Sequence, residues 1–306
     1  MMTILLHLLL QAQLPAPGAS HLQYFGFWGD RPAVDDMNTT ANFTNLHLPY
    51  GCSTSLCHTS EFPSGAVTTL IPLRWMMWNC SKHGQINGGL KTNWRAEWAS
   101  AKQHYAPMFV NRSLTLGFML GDELVWSGCD VEAVALLAET VRADFPSAPI
   151  YYNENVPVVL HGVNSGGFPV NFSIPPALTL FSFDYYHYNG NDTGAHVSTV
   201  RSIYEQHVYP KMHEHQKLLL VPGAFAMPHG TPIPGGFNCS LSCFDAMAAD
   251  DAVHYWNWAQ ADVHIAGIAP WEWDNGGGRL GAFNLPRTRG VWATIGTEII
   301  TRSGMH

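Results

Sequence analysis

Two adjacent carboxylates, Asp122 and Glu123, end an apolar segment that begins at Leu114. A strand of this composition is typically buried on both faces. Ionised groups at its end must then face a solvated cleft or pair with other groups, because an unpaired charge in a protein core costs several kcal/mol. Such a pair can carry general acid/base chemistry. The alternative is a structural role, in which the acids cap the next helix.

Eight short apolar segments recur along the chain, with helix-like stretches between several of them. This rhythm is expected of repeated strand-helix units. The predicted strands are Tyr24–Trp28, Phe43–Leu48, Thr69–Trp75, Leu114–Leu120, Ile150–Tyr152, Leu178–Phe183, Leu218–Val221 and Ile265–Pro270. The clearest helices are predicted at Asn93–Tyr105, Val131–Phe145, Val197–Tyr209 and Asp245–Gln260.

Eight strands are the number that a closed α/β barrel requires, and the 306 residues suffice for one such unit. Residues 49–67 are the irregular part of the pattern, because they are rich in Gly, Ser, Thr and Pro and show no helical periodicity. We therefore predict a single (β/α)8 TIM barrel over residues 21–306, which is degenerate between strands 2 and 3 if no helix forms there.

Acids follow five of the eight predicted strands. They are Asp30, Asp122 with Glu123, Glu154, Asp184, and Glu272 with Asp274. The seventh strand is followed by Pro222, Gly223 and Ala224 instead. Acids from several strands that converge on one rim are what glycosidic hydrolysis requires, since one protonates the leaving oxygen and another stabilises an oxocarbenium-like centre. Structural acids that cap helices or pair with Arg74 or Arg279 would give the same pattern.

Aromatic residues also fall at or just beyond the predicted strand ends, where an aromatic face can stack on a sugar ring. The alternative for each is a cap over the barrel core. The predicted substrate-binding residues are Trp28, Asp30, Trp75, Trp126, Glu154, Tyr185, Tyr186, His187, Trp271 and Trp273.

Three segments resemble those of TIM-barrel glycoside hydrolases. Gly121-Asp122-Glu123 and the segment 267–272 are similar to segments of beta-N-acetylhexosaminidases, and Phe183-Asp184-Tyr185-Tyr186 is similar to a segment of chitinase-type barrels. The resemblance implies that Asp122 orients the substrate's acetamido group, which acts as the nucleophile, and that Glu123 is the general acid/base. It also implies that Tyr185 or Tyr186 donates a hydrogen bond to the acetamido oxygen.

Retaining barrels of the largest glycosidase group carry one Glu on strand four and a second on strand seven. The seventh strand of this chain has none, which disfavours that mechanism. If the substrate has no acetamido group, the partner of Glu123 should be Asp184 or Glu272. The predicted catalytic residues are therefore Glu123, Asp122, Asp184 and Glu272. A carbohydrate-binding barrel without catalysis is the competing interpretation, and the sugar, the linkage and the oligomeric state are left open.

Several features indicate export. Residues 1–20 contain an apolar run followed by small residues and are predicted to be a signal peptide, with a buried amino-terminal strand as the alternative. Six cysteines permit three disulfides, of which Cys52–Cys57 and Cys239–Cys243 would be local. Seven Asn-x-Ser/Thr sites are present, at Asn38, Asn42, Asn79, Asn111, Asn171, Asn191 and Asn238. A secreted or lysosomal glycoprotein is expected.

Composition narrows the range of partners. With 46% hydrophobic and 12% charged residues the chain is not a disordered protein, and a formal charge of -8 without a basic stripe argues against nucleic acid. Beyond residue 20 no segment has the roughly 20 apolar residues of a membrane span. No Cys-x2-Cys pair supports zinc, and His213-Glu214-His215 is predicted at the barrel's opposite rim. We expect a glycan partner and no metal or other cofactor.

Overall fold

Eight parallel strands form a closed barrel in a computed structural model of the protein. The structure describes residues 21–28, 40, 42–49, 56–57, 67–80, 88–110, 115–186, 193–226, 240–273 and 279–303. The strands are β1 (Tyr24–Phe25), β2 (Leu46–His47), β3 (Thr68–Pro72), β4 (Thr115–Asp122), β5 (Ile150–Asn155), β6 (Leu180–Asp184), β7 (Lys217–Leu220) and β8 (Ile265–Ile268).

Each strand from β2 to β8 pairs with its neighbour in chain order, and β8 pairs with β1. A parallel bridge between Trp28 and Leu48 joins β1 to β2 and completes the ring. The Asn45 side chain reinforces this seam by accepting a 2.7 Å hydrogen bond from the Phe25 amide. All eight predicted strands are confirmed, and the fold is a single (β/α)8 TIM barrel.

Five long helices pack around the barrel: α1 (Trp94–Val110), α2 (Val131–Asp144), α3 (Thr193–Ile203), α4 (Leu241–Ala261) and α5 (Pro286–Ser303). The first four are the predicted helices with shifted ends. The helix α5 is not predicted from the sequence, because threonines, glycines and arginines dilute its apolar stripe. Its buried face is nevertheless helically spaced, with Val291, Trp292, Ile295 and Ile299. No helix lies between β2 and β3 within the described residues, and most of that connection is outside them.

Side chains inside the barrel form a core of their own. It contains Trp28, Leu46, Leu48, Leu70, Met119, Tyr151, Leu180, Leu219, Val221, Ala266 and Ala269. A larger core lies between the outer face of the sheet and the helices. Because strand residues alternate between faces, Tyr151 and Asn153 of β5 point inward, whereas Tyr152 and Glu154 point outward.

Short elements at the carboxyl rim shape the entrance. A helix at Arg74–Met77 follows β3, and a helix at Val156–His161 follows β5. The strand Phe225–Ala226 pairs antiparallel with Leu280–Gly281, which links the connections after β7 and β8. A disulfide between Cys80 and Cys129, with Cα atoms 5.4 Å apart, ties the connection after β3 to the one after β4.

Cys57 and Cys243 are also disulfide-bonded, but the local pairs predicted for them include Cys52 and Cys239, which lie outside the described residues. None of the described helices is long and apolar enough to cross a membrane.

Candidate active site

An asparagine joins two acids at the carboxyl ends of β4, β5 and β6. Asn153 Nδ2 donates to Asp122 Oδ1 at 2.9 Å and to Asp184 Oδ1 at 3.3 Å. Since both oxygens contact one nitrogen, they lie no more than about 6 Å apart. Ser182 Oγ donates to Asn153 Oδ1 at 2.5 Å and lies 2.6 Å from the Tyr151 hydroxyl. These bonds inside the barrel fix the amide so that its N–H groups face the acids.

A β-bulge in β4 turns Asp122 toward this asparagine. Met119 pairs with Tyr151, and the next pair is Asp122 with Asn153, so β4 has one more residue than β5 between the two pairs. Such an insertion reverses the alternation of faces beyond it. Without the bulge, Gly121 and Glu123 would be the inward positions after Met119. With it, Asp122 takes the inward position.

Glu123 follows the bulge in a strained conformation. Its φ is 49°, the only positive value at a non-glycine residue in the described part of the chain. This left-handed region costs a residue with a Cβ roughly 1–2 kcal/mol. The Glu123 amide donates to the Asn153 carbonyl at 3.0 Å, and Asn155 Nδ2 donates to Glu123 Oε1 at 2.5 Å. The neighbouring strand therefore holds both the backbone and the side chain of Glu123.

Arg74 brings a positive charge to the acids from the short helix after β3. Its Nη1 atom donates to the Asp122 carbonyl at 2.9 Å and lies 3.6 Å from Asp122 Oδ2. An opposite charge at this distance favours the ionised carboxylate.

Asp184 and Tyr186 experience the charge of the neighbouring acids. Burial raises the pKa of Asp184 well above its usual value, and the negative charges of Glu123 and Asp122 raise it further. Burial also raises the pKa of the Tyr186 hydroxyl, with added contributions from Asp184, Asp122 and Glu123. Asp122, Glu123 and Asp184 therefore form one electrostatically coupled group, called here the acid cluster, in which Asp184 tends to keep a proton.

Glu272 lies at the end of β8 and has a different environment. It is only 3% exposed, and Arg279 Nε donates to its Oε1 at 2.9 Å. The Arg279 guanidinium lies 5.5 Å from the ring centres of both Trp271 and Phe225. Glu272 thus pairs with a cation that lies between two aromatic rings. The catalytic role of Glu272 remains a prediction.

Glu154 does not face the cleft, which corrects its predicted role in substrate binding. It is fully buried on the outer side of β5. Its carboxylate accepts hydrogen bonds from the amides of Val125 at 3.0 Å, Trp126 at 3.2 Å and Asn155 at 2.8 Å, and from the Tyr152 hydroxyl. Burial raises its pKa to about 8, although these hydrogen bonds oppose the shift. Glu154 fixes the turn that follows Glu123.

Two predicted sugar-binding tryptophans belong to the core instead. Trp28 is fully buried and packs against Tyr151 and Trp271, and Trp273 is fully buried against Phe27 and other aromatic rings. Trp28 points into the barrel, and Trp273 points into the core between the sheet and the helices. Neither position has contact with solvent once the barrel is closed. The structural alternative weighed for strand-end aromatics is correct for both.

The other predicted aromatics reach the surface. Trp126, Trp271, Tyr185 and Tyr186 are partly buried, whereas Trp75 is 71% exposed. The Tyr186 ring packs edge-on against Phe225, with ring centres 5.5 Å apart, and its centre lies 6.4 Å from that of Trp271. These three rings form an aromatic wall beside the acid cluster. Asp30 and His187 lie outside the described residues.

Several residues that hold the acids are not predicted as site residues from the sequence. These residues are Arg74, Tyr151, Asn153, Asn155 and Ser182. The alternation of faces along β5 could have indicated two of them, because Asn153 and Asn155 share a face with Tyr151, which points inward. The bulge has no comparable signal in the sequence.

His213, Glu214 and His215 are exposed and precede β7, so they lie at the amino-terminal rim as predicted. Within the described residues there is no group of three or more His, Cys, Asp or Glu side chains that could hold a metal ion.

Comparisons with known proteins support the fold. No protein-family model and no curated protein sequence matches the chain. The structure is similar to a beta-D-glucuronidase from Dictyoglomus thermophilum, with a TM-score of 0.51 and 12% identity over 82% of this chain and 44% of that one. It is also similar to a beta-glucuronidase from an uncultured Clostridium species, with a TM-score of 0.51 and 10% identity over 88% and 50% of the two chains.

The structure is also similar to a GH113 beta-mannanase from Alicyclobacillus acidocaldarius, with a TM-score of 0.47 and 17% identity over 92% of this chain and 98% of that one. The chain spans about half the length of the two glucuronidases. At these identities the likeness concerns the fold alone, and the resemblance to beta-N-acetylhexosaminidases stays a prediction. The chain shares a TIM-barrel fold with solved glycoside hydrolases.

Proposed function

We propose that this protein is a glycoside hydrolase that cleaves O-glycosidic bonds by carboxylate acid/base catalysis. The acid cluster carries the proposal, because it places Asp122 and Asp184 on the Asn153 amide and Glu123 on the Asn155 amide at the carboxyl rim of a TIM barrel. Glycosidic cleavage needs a carboxylic acid for the leaving oxygen and a second acid near the anomeric carbon. Coupled carboxylates meet this need, since their mutual repulsion keeps some protonated while others are ionised.

The contacts suggest how the work is divided. Glu123 donates its proton to the leaving glycosidic oxygen and, as a carboxylate, later takes a proton from the attacking water. Asp122 stays ionised beside Arg74 and stabilises the positive charge that develops at the anomeric carbon. Asp184 keeps its proton and donates a hydrogen bond to a sugar hydroxyl.

N-acetylhexosamine-containing glycans are the substrates we propose to test first. This choice rests on the sequence resemblance around Asp122 and Asp184, in which the acetamido oxygen attacks the anomeric carbon while Asp122 orients the acetamido group. Tyr186 supports the choice, because its hydroxyl shares the electrostatic environment of the acid cluster and keeps its proton as a donor.

We also propose that the protein is a secreted or lysosomal glycoprotein with an amino-terminal signal peptide. The three glycosylation sites within the described residues, Asn42, Asn79 and Asn171, are all exposed. The Cys80–Cys129 disulfide suits an oxidising compartment. Expression in a eukaryotic secretion host, with peptide N-glycosidase treatment of the product, tests this point: intracellular retention without glycan would contradict it.

The functional test is a screen of the purified protein on aryl glycosides. The panel contains N-acetylglucosaminide, N-acetylgalactosaminide, glucuronide, mannoside and glucoside. Glu123→Gln is the diagnostic variant, and Glu139→Gln, an exposed position on α2, is the matched control. We expect hydrolysis by the wild type and the control only. Turnover that Glu123→Gln leaves unchanged would remove Glu123 from the mechanism.

A carbohydrate-binding barrel without catalysis is the second candidate. It is favoured by the segment 221–224 after β7, which brings no acid, and by the pairing of Glu272 with Arg279. Binding of glycans by the wild type, with no turnover on any substrate in the panel, would support this candidate over the hydrolase.

A further inference from the structure

A buried histidine–aspartate pair lies directly behind the acid at the end of β6. His196 Nδ1 on α3 is 3.0 Å from Asp251 Oδ1 on α4, and the two side chains are 2% and 0% exposed. The other ring nitrogen, His196 Nε2, is 3.2 Å from the carbonyl oxygen of Tyr185. The rings of His196 and Tyr185 also stack, with centres 5.8 Å apart. In the chain, Tyr185 lies between Asp184, a member of the acid cluster, and Tyr186, whose hydroxyl is affected by the charges of that cluster.

The geometry fixes the number of hydrogens on the pair. A carbonyl oxygen only accepts, so His196 Nε2 must carry a hydrogen and donate it to Tyr185. A second hydrogen must lie between Nδ1 and Asp251 Oδ1, because two lone pairs would otherwise face each other. The pair is therefore either imidazolium with carboxylate or neutral imidazole with carboxylic acid. In both forms it holds one proton more than a neutral histidine beside an ionised aspartate.

We propose that His196 and Asp251 are positioning residues for the acid cluster: the proton they share keeps the Nε2–H group of His196 on the Tyr185 carbonyl, which fixes Asp184 and Tyr186. The inference rests on the proposed function. Neither residue needs to contact the substrate, because both act through the backbone at the end of β6. Loss of the shared proton breaks one of the two contacts and releases this segment.

The surroundings of the pair are compatible with retention of the proton. Burial raises the pKa of Asp251, and the negative charge of Asp250 adds to the effect, while His196 and His254 act in the opposite direction. Tyr255 packs edge-on against His196 with ring centres 6.4 Å apart. Asp250 accepts a hydrogen bond from the Thr193 hydroxyl and lies 3.7 Å from His254 Nε2 on an exposed face of α4.

The variant Asp251→Asn removes the shared proton but keeps the hydrogen bond from His196 Nε2 to the Tyr185 carbonyl. The asparagine amide donates to Nδ1 of a neutral histidine, so Nε2 keeps its hydrogen and its bond to Tyr185 without the extra proton. We expect kcat at the optimal pH to stay within about 3-fold of wild type, and the alkaline limb of the pH profile to move to higher pH.

His196→Phe removes the donor while keeping a flat ring, and we expect kcat to fall by about 10- to 100-fold because the acids lose their position. His196→Gln restores an N–H donor near Tyr185 and should recover part of this loss. The matched control is His213→Gln, which alters an exposed histidine at the amino-terminal rim, and it should leave the rate and the pH profile unchanged.

Hydrogen exchange of the backbone amides at residues 184–186 provides a readout that does not depend on turnover. Protection should be lost in His196→Phe and kept in Asp251→Asn. Wild-type rate, pH profile and protection in a folded His196→Phe would overturn the positioning role while the proposed function stands. If the wild type hydrolyses no glycan, the proposed function fails and the exchange data still decide whether the pair holds this segment. If His196→Phe does not fold, Asp251→Asn with an unchanged alkaline limb overturns the role of the shared proton.

Discussion

The acid cluster and the Glu154 anchor are two carboxylate environments on adjacent strands that differ in how their charges are satisfied. Glu154 is buried and accepts four hydrogen bonds, three of them from backbone amides of the rim. Asp122, Glu123 and Asp184 instead repel one another, and Glu123 has a strained backbone. Hydrogen bonds of the first kind offset part of the cost of burying a carboxylate, whereas mutual repulsion adds to that cost, so the second arrangement is the one that indicates chemistry.

The largest effect is expected from Glu123→Gln in the acid cluster. Removal of the proton donor should lower kcat by about 10²- to 10⁴-fold. The free energy of unfolding should not decrease, because glutamine has the same size and its oxygen can still accept the hydrogen bond from Asn155 Nδ2. Glycoside hydrolysis and thermal unfolding measured on the same samples check both parts. A large loss of stability would mean that Glu123 is held like Glu154, and the comparison between the two regions would fail.

Glu154→Gln should have the opposite pattern. The amide is the same size, but each carboxylate oxygen of Glu154 accepts from two donors, and the NH2 group of glutamine accepts none. In either orientation at least one backbone N–H loses its acceptor, which should lower the free energy of unfolding by about 1 to 3 kcal/mol. Urea denaturation measures this, with the exposed Glu139→Gln as the control. An unchanged denaturation midpoint would contradict the anchoring role.

The dependence of stability on pH should reveal the buried acid in each region. The pKa of Asp184 and that of Glu154, the latter about 8, are raised in the folded state, so the folded protein keeps protons that the unfolded chain releases. Both contributions are fully present below the unfolded pKa near 4; that of Glu154 is lost as the pH rises toward about 8, and that of Asp184 as the pH rises toward its raised pKa. We therefore expect the free energy of unfolding to fall across this range.

Asp184→Asn removes one of these groups and should flatten part of the slope, with a gain in stability at pH 8 that shrinks toward pH 5. Denaturation midpoints at pH 5, 6.5 and 8 decide it. A variant less stable than wild type at pH 8 would mean that Asp184 is satisfied in the way Glu154 is.

The smallest effect is expected from Trp75→Ala at the edge of the cleft. Because Trp75 is exposed and lies beside the Arg74 guanidinium, its loss should leave the unfolding transition unchanged. Removal of a stacking surface should weaken binding of oligosaccharides by about 3- to 10-fold, roughly 1 kcal/mol, and leave aryl monosaccharides unaffected. Calorimetric titration of both ligand types measures the effect, and equal losses for the two would contradict a role of Trp75 in binding only the longer ligands.

The sequence is sufficient to predict much of the barrel. Apolar runs mark all eight strands because each is buried on both faces, and the acids that follow them share one rim because the strands are parallel. The helix α5 escapes detection since its apolar stripe is diluted by polar residues, and its burial depends on the assembled barrel.

The candidate site is predictable only in part. The types of residue at the strand ends indicate carboxylate chemistry, and Asp122 and Asp184 share Asn153 as their neighbour. The outward direction of Glu154 follows from the inward position of Tyr151, but only once that inward position is known. His196 and Asp251 are 55 positions apart in the chain and lie on different helices. No local sequence pattern predicts such a long-range pair.

The bulge in β4 has an evolutionary consequence. Because it determines which of two neighbouring acids enters the lumen, the gain or loss of one residue in this strand would exchange the inward places of Asp122 and Glu123 without altering either codon. A barrel of this kind can therefore acquire a different catalytic geometry through a single-residue insertion or deletion, a change that comparison of residue identities alone would overlook.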